Sequence, residues 1–273
     1  MVLGEVWVLS IVAFLVSLFT STVGVSGAFL LLPFQVSVLG FISPAVSGTN
    51  LVYNLIAIPS GVFRYVREGR LVWPLVWISA LGTLPGVWLG AYVRAYWLSD
   101  VKLFKVFVAM VLFWLGARLL LARVSAAVLP RAVVEVGEVS FSRVVYKLGG
   151  VTYSFSPPKL FLAAFLVGLV GGVYGIGGGA ILSPVLAGLF KLPVYTTAGA
   201  TLLCTFLTSA FGVASYYTVG YPPRWDIGIA LGVGGAFGMY AGARLQKHIP
   251  EKALRTLLAL TTLAIAAGYI LGL

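Results

Sequence analysis

The chain is nearly bare of the groups with which enzymes do chemistry. Its 273 residues include one His, one Cys and seven Asp plus Glu. A single cysteine permits no intrachain disulfide and carries no message about redox compartment. Metal centres need several His, Cys or carboxylate ligands close together. No such cluster occurs along the chain, so neither metal nor cofactor is expected. Side-chain amides are limited to Asn50, Asn54, Gln35 and Gln246. Charged residues amount to 9%, where a soluble domain carries roughly 25%.

What fills the chain instead is apolar. Hydrophobic residues make up 60% and mean hydropathy is +1.06. Apolar stretches recur at 5–22, 28–41, 44–64, 71–94, 102–122, 159–173, 179–190, 194–217, 225–245 and 253–272. Most are long enough to cross ~30 Å of hydrocarbon. The first lacks a basic leader and a small-residue cleavage site, so it reads as a retained span. The net charge of +11 reads as basic loops beside membrane spans rather than as a nucleic-acid surface.

Loop charges set an expected orientation. If all ten segments alternate sides, one side receives Arg64, Arg67, Arg70, Arg118, Arg123, Arg131, Arg143, Lys147, Lys159, Lys191, Arg244, Lys247, Lys252 and Arg255. The other receives only Arg94, Lys102, Lys105 and Arg224, which completes the 18 basic residues. Letting the second and seventh segments return to the side they left would nearly equalise the two sides. The positive-inside rule favours alternation, with both termini extracytoplasmic and the central loop cytoplasmic. Segments 28–41 and 179–190 rise only ~18–21 Å at 1.5 Å per residue. They could be full spans or half-spanning, re-entrant arms, and the loop charges are the same either way.

The chain also matches itself. At a shift of 151 residues Gly24, Gly27, Pro33, Gly48, Gly61, Tyr65 and Gly69 fall on Gly175, Gly178, Pro184, Gly199, Gly212, Tyr216 and Gly220. At 152, Gly82, Gly86, Gly90 and Ala91 fall on Gly234, Gly238, Gly242 and Ala243. Five segments per half, an odd number, makes the halves antiparallel. Inverted repeats in membrane proteins are a transporter arrangement, with the site at the repeat interface. The expected architecture is an all-α polytopic membrane protein of about ten segments in two inverted five-segment repeats. Residues 1–122 form the first repeat and 158–273 the second. Residues 123–157 form a central loop in which Val133–Val139, Val144–Phe155 and the turn Gly149-Gly150 read as a small β-hairpin.

Two glycine-rich junctions stand at matching places: Gly24-Val25-Ser26-Gly27-Ala28 and Gly175-Ile176-Gly177-Gly178-Gly179. Each ends one apolar segment and opens another, with Pro33 or Pro184 nine residues after the first glycine. A helix starting there presents unpaired N–H donors and the positive end of its dipole. Two such ends near the midplane could bind an anion without arginine or lysine. Tight turns that only permit close packing are the alternative.

These junctions, the two prolines, Gly48-Thr49-Asn50-Leu51 and the spacing of Tyr65 and Gly69 resemble the sulfite exporter TauE/SafE family. The resemblance extends over both halves. It departs at Ser26 and Ala28, where a fuller glycine run is usual, and at Gly199-Ala200-Thr201. It implies a transporter of small anions such as sulfite, sulfonates, other organosulfur compounds or carboxylates.

Asn50 and Asn54, four apart, share one helix face, and at the 151 shift they fall on Thr201 and Thr205. The expected anion site therefore comprises Gly24, Ser26, Gly27, Asn50, Asn54, Gly175, Gly177, Gly178, Thr201 and Thr205. Ser47, Thr49, Tyr53 and Thr208 are secondary candidates. Interhelical glue is the alternative for the asparagines and threonines. The glycines at 82, 86, 90, 234, 238 and 242 read as close-packing positions.

Gly24-Val25-Ser26-Gly27 also matches the pattern around a serine nucleophile, which would need a general base in reach. The only His, His248, lies in a polar loop, so an enzyme is not expected. Ionisable groups are nearly absent from segment interiors, which disfavours a buried carboxylate proton relay. An anion channel with the same filter, or a membrane scaffold, are the competing readings. The expected partners are a small anion and the lipid bilayer, with no nucleic acid.

Overall fold

The computed structural model describes residues 3–22, 25–67, 69, 71–121, 134–245 and 251–272. Gly24, Arg70, Arg123, Arg131, Lys247 and His248 lie outside them. Helices occupy the apolar stretches: α1 (Leu3–Thr22), α2 (Ala28–Ser37), α3 (Ala45–Ala57), α4 (Pro59–Arg67), α5 (Trp73–Tyr96) and α6 (Val101–Leu121). After the central region come α7 (Pro157–Tyr174), α8 (Gly179–Gly188), α9 (Val194–Thr218), α10 (Trp225–Leu245) and α11 (Glu251–Leu271). Between α3 and α4 only Ile58 intervenes. Its φ of −70° and ψ of −35° are helical, so the two form one bent rod. Proline supplies the starts of α5 and α7, where its missing N–H costs nothing. Pro59, at the join of α3 and α4, cannot donate to Leu55 O and marks the break in the rod.

Among the described residues, α5, α6, α7 and α9 are long and apolar enough to cross a membrane. Helices α2 and α8 are apolar but only ten residues long. At 1.5 Å per residue each rises about 15 Å, half of the hydrocarbon thickness.

Helix pairs form by exchange between the two halves. Helix α1 packs along α10, and α7 packs along α5. Glycines make both seams. A β-carbon placed at Gly82, Gly86 or Gly90 would overlap the backbone carbonyl of Phe161, Phe165 or Leu169. At Gly234, Gly238 and Gly242 it would overlap that of Ser10, Phe14 or Leu18. Each contact in the first set becomes one in the second under the shifts of 151 and 152. The exchange holds elsewhere: Gly48 abuts Tyr216 and Pro223, while Gly199 abuts Tyr65 and Leu71. Gly61 faces Met239 and Leu202, and Gly212 faces Val87 and Leu51. Close backbone approach at small residues supplies the dispersion contact that lipid cannot, since tails are as apolar as leucine.

The central region holds a three-stranded antiparallel sheet, not a two-stranded hairpin. Strands β1 (Val134–Val139), β2 (Val144–Leu148) and β3 (Val151–Phe155) lie in that order. Gly149 and Gly150, with φ of 56° and 82°, turn the chain between β2 and β3 and so divide the stretch 144–155. Val144, Tyr146 and Phe155 are buried in the helical core. The Tyr146 hydroxyl is 3.0 Å from Thr196 Oγ1. Thr196 gives its own proton to Pro193 O, so Tyr146 is the donor, and it ties the sheet to the first turn of α9.

Candidate functional site

The two glycine junctions meet, and Asn50 joins them. Its Nδ2 donates to Ala28 O at 2.8 Å, in the first turn of α2, and to Gly175 O at 2.9 Å, in the second junction. Its Oδ1 accepts from Gln35 Nε2 at 3.1 Å. Asn54, one turn on, donates from Nδ2 to Ile176 O at 3.2 Å and accepts from Ser26 Oγ at 2.6 Å. Both asparagines are fully buried. Asn50 spends both amide protons on backbone carbonyls and Asn54 spends one, so in this conformation they fasten the junctions.

The junctions differ in backbone. Gly175, Gly177 and Gly178 have φ of 84°, 66° and 81°, a region that side chains rarely occupy. Gly27 has an ordinary φ of −64°. Ser26 stands where the second junction has the positive-φ Gly177 and has no positive φ itself, so a side chain fits there in the first junction. Ala28 stands where the second has Gly179, which lies against Thr205 Oγ1. No side chain caps α2 at Gly27 or α8 at Gly178. The nearest approach to a cap is Ala28 N donating to Ser26 Oγ at 3.3 Å. Leu30 N and Ile181 N, in the first turns, donate back to Gly27 O and Gly178 O, each at 3.0 Å. What these ends offer a ligand is therefore the N–H groups before them and the helix dipole.

The remaining candidates fall around this centre. Thr205 Oγ1 lies against Gly179, where a β-carbon would overlap it, and donates to Thr201 O at 2.7 Å. Thr208 Oγ1 is 2.7 Å from Gly177 O. Thr201 Oγ1 bonds Ala198 O on its own helix. Ser47 Oγ donates to Val173 O, just before the second junction, at 2.9 Å. Tyr53 OH pairs with Ser17 Oγ at 2.7 Å, beside Gly27. Thr49 Oγ1 donates to Ala45 O and accepts from Arg224 N, each at 2.8 Å. The polar lining is therefore asymmetric: the asparagines grip both junctions, whereas Thr205 and Thr208 touch only the second.

Sequence reasoning missed Gln35 and Ser209. Gln35 Nε2 bonds Leu31 O and Asn50, leaving its buried Oε1 without a partner. Ser209 Oγ, buried and likewise unpartnered, lies 2.6 Å from where a β-carbon of Gly177 would stand. The signal for Gln35 was its rarity: it is one of two glutamines, inside an apolar segment. Proline chemistry adds one more fastening. Pro33 cannot donate to Phe29 O four residues earlier, and the Tyr174 hydroxyl, from the end of α7, takes that carbonyl at 2.8 Å.

The centre is neutral. Ser26 donates to an amide oxygen, which has no basicity to activate it. No group of three His, Cys, Asp or Glu side chains gathers anywhere among the described residues. What the arrangement presents is two short helix beginnings, polar amides and hydroxyls.

A family model described as sulfite exporter TauE/SafE matches residues 9–269. The chain belongs to that family. It is 26% identical over 233 residues to a probable membrane transporter protein, YunE, of Bacillus subtilis (strain 168), covering 84% of this chain and 82% of that one. It is 34% identical over 100 residues to a second, YdhB, of the same organism, covering 37% of this chain and 40% of that protein. No solved structure matches the chain. With its long apolar helices, this member of the TauE/SafE family is a multi-pass membrane protein.

Proposed function

We propose that the protein transports a small anion, of the sulfite, sulfonate or related organosulfur class, through a site where α2 and α8 begin. One observation carries this reading: a single buried amide, Asn50, bonds the first turn of α2 and the second glycine junction at once. Two half-length helices are thereby held with their N-terminal ends at one place. Such ends stabilise an anion through their unpaired N–H groups and dipoles. A neutral site binds an anion without trapping it, as release on the far side requires. The names of the family and of the two Bacillus subtilis proteins supply the substrate class and the word transporter.

The exchanged glycine seams support an inverted repeat, and the loop charges support termini outside and the sheet inside. In alternating access the seams α1–α10 and α5–α7, each made of one helix from either repeat, move as two bodies about the junctions. The test is counterflow in proteoliposomes with sulfite, sulfate, thiosulfate, sulfoacetate and small carboxylates. Saturable exchange of at least one anion is expected. Ohmic current without counterflow would instead describe a channel, and an absence of both binding and flux would sink the anion site.

A further inference from the structure

Among the described residues, the largest fully buried side chain is a cation. Arg94, in the last turn of α5, has no exposed surface. Its Nη1 donates to Leu98 O and its Nη2 to Ile42 O at 3.3 Å. The guanidinium lies 3.7 Å over the Phe104 ring of α6. Its Nε is buried with no partner. These contacts are carbonyl dipoles and a ring face; none is a carboxylate. The acidic side chains described at this end are exposed and engaged elsewhere. Asp100 accepts from Leu103 N at 2.9 Å, and Asp226 pairs with Arg224 at 2.6 Å.

A buried charge normally has a counter-charge, because desolvation costs several kcal/mol that dipoles only partly return. The surroundings show which way this one faces. Ala91 and Ala95, flanking Arg94, pack in one cluster with Tyr216, Val219 and Tyr221. Tyr216 continues inward: its ring abuts Gly48, two residues before Asn50, and its hydroxyl donates to Gly172 O at 2.8 Å, one turn before the second junction. Arg94 thus stands over the junction site on the side remote from the β-sheet, since α9 holds the sheet at Thr196 and meets this cluster at its other end.

We propose that Arg94 is a second anion station, through which a small oxyanion passes between the junction site and the surface remote from the sheet. The anion takes the free Nε edge, and Tyr216 and Tyr221 line the passage. The positive charge draws anions in on that face, and the three protein contacts fix the guanidinium so that binding costs little reorganisation. This rests on the transport reading, and the experiment separates the two.

Wild type, Arg94→Gln and Arg94→Lys are reconstituted, with orientation read from protease access to the sheet. Half-saturating sulfite is measured separately from each face. Arg94→Gln is expected to raise the value about ten-fold on the face remote from the sheet, the size of one lost charge-assisted bond. On the sheet face it should stay within about two-fold of wild type, whereas a merely structural defect would move both. Arg94→Lys, with its charge but no planar fork, should fall between, and carries the test if Arg94→Gln does not fold. An unchanged value on the remote face in the variant that folds, or equal rises on both, overturns the proposal. Wild type that moves no anion overturns the transport reading instead. In that event, anion-dependent thermal stabilisation in a phosphate-free detergent, lost in Arg94→Gln, would still support the station, and its persistence would refute it.

Discussion

Asn50 reaches both junctions with its two amide protons. Asn50→Ala strands Gly175 O and takes the side-chain bond from Ala28 O, and an unmade buried hydrogen bond costs roughly 1–3 kcal/mol. Bonds between membrane helices average nearer 0.6, so the total loss is expected at about 1–3 kcal/mol by unfolding in detergent. Anion flux should fall with it, and a variant that kept full flux would remove Asn50 from the site. Gly179 offers a cleaner contrast, because the severe overlap for a methyl there is with one hydroxyl, Thr205 Oγ1, while Thr201 O and Thr205 Cβ stand off at 3.1 Å. Gly179→Ala is expected to cost about 1–3 kcal/mol by overpacking against Thr205. Adding Thr205→Ala should recover most of that, and a purely additive double mutant would show that the two residues do not meet. Which residues mattered was partly readable beforehand. Two asparagines in an apolar helix advertise themselves, since they are costly there without a partner. Their partners could not be read, because backbone carbonyls leave no trace in a sequence. Arg94 was concealed differently. At the end of an apolar stretch it looks like any loop cation, and only the packing of α6 and α9 around it shows that water is gone.

Helix ends were the most legible elements, because glycine and proline punctuate apolar runs sharply. The prolines at the starts of α5 and α7 and the positive-φ Gly175 closing α7 all fall within a few residues of the apolar boundaries. The third strand of the central sheet was less legible, since 144–155 has unbroken β character and only Gly149-Gly150 divides it. The seams α5–α7 and α1–α10 make parallel predictions. Gly86→Val and Gly238→Val should each lower thermal stability in detergent, by amounts typical of a backbone overlap, about 1–3 kcal/mol or more. A harmless valine at either place would mean the seam is not tight. The sheet carries its own test. Burial pushes the Tyr146 hydroxyl up to about 12. An unfolded tyrosine begins to ionise near 10, so the docked sheet is undiminished below about pH 10 and loosens as pH climbs through about 12. Tyr146→Phe should dock more weakly and lose that alkaline step, read by protease access to residues 134–155.

At the scale of the whole molecule the decisive property is orientation. In a Cys204→Ala background, Lys102→Cys and Ser142→Cys sit at opposite ends, both exposed. An impermeant maleimide added to intact cells should label Lys102→Cys and reach Ser142→Cys only after permeabilisation. The reverse result would flip the molecule, and labelling of both from outside would refute the arrangement. The self-match at 151 and 152 was visible without any structure. That each half completes the other was not visible, because matched glycines in a sequence do not say which carbonyl they will meet.

The seam between α1 and α10 also sets a schedule. Ser10 Oγ bonds Ala230 O across 220 residues of chain, so α1 enters the bilayer long before its groove exists. At about 5–20 residues per second of synthesis, it waits roughly ten to forty seconds with its serines and its tight-packing face turned to lipid. Its partner in the other half, α7, meets no such delay, because α5 is already in place when α7 emerges. The two seams match in contact but not in history. The newborn protein is therefore most exposed to wrong neighbours along α1, and that is where an insertase or chaperone would have to stand guard.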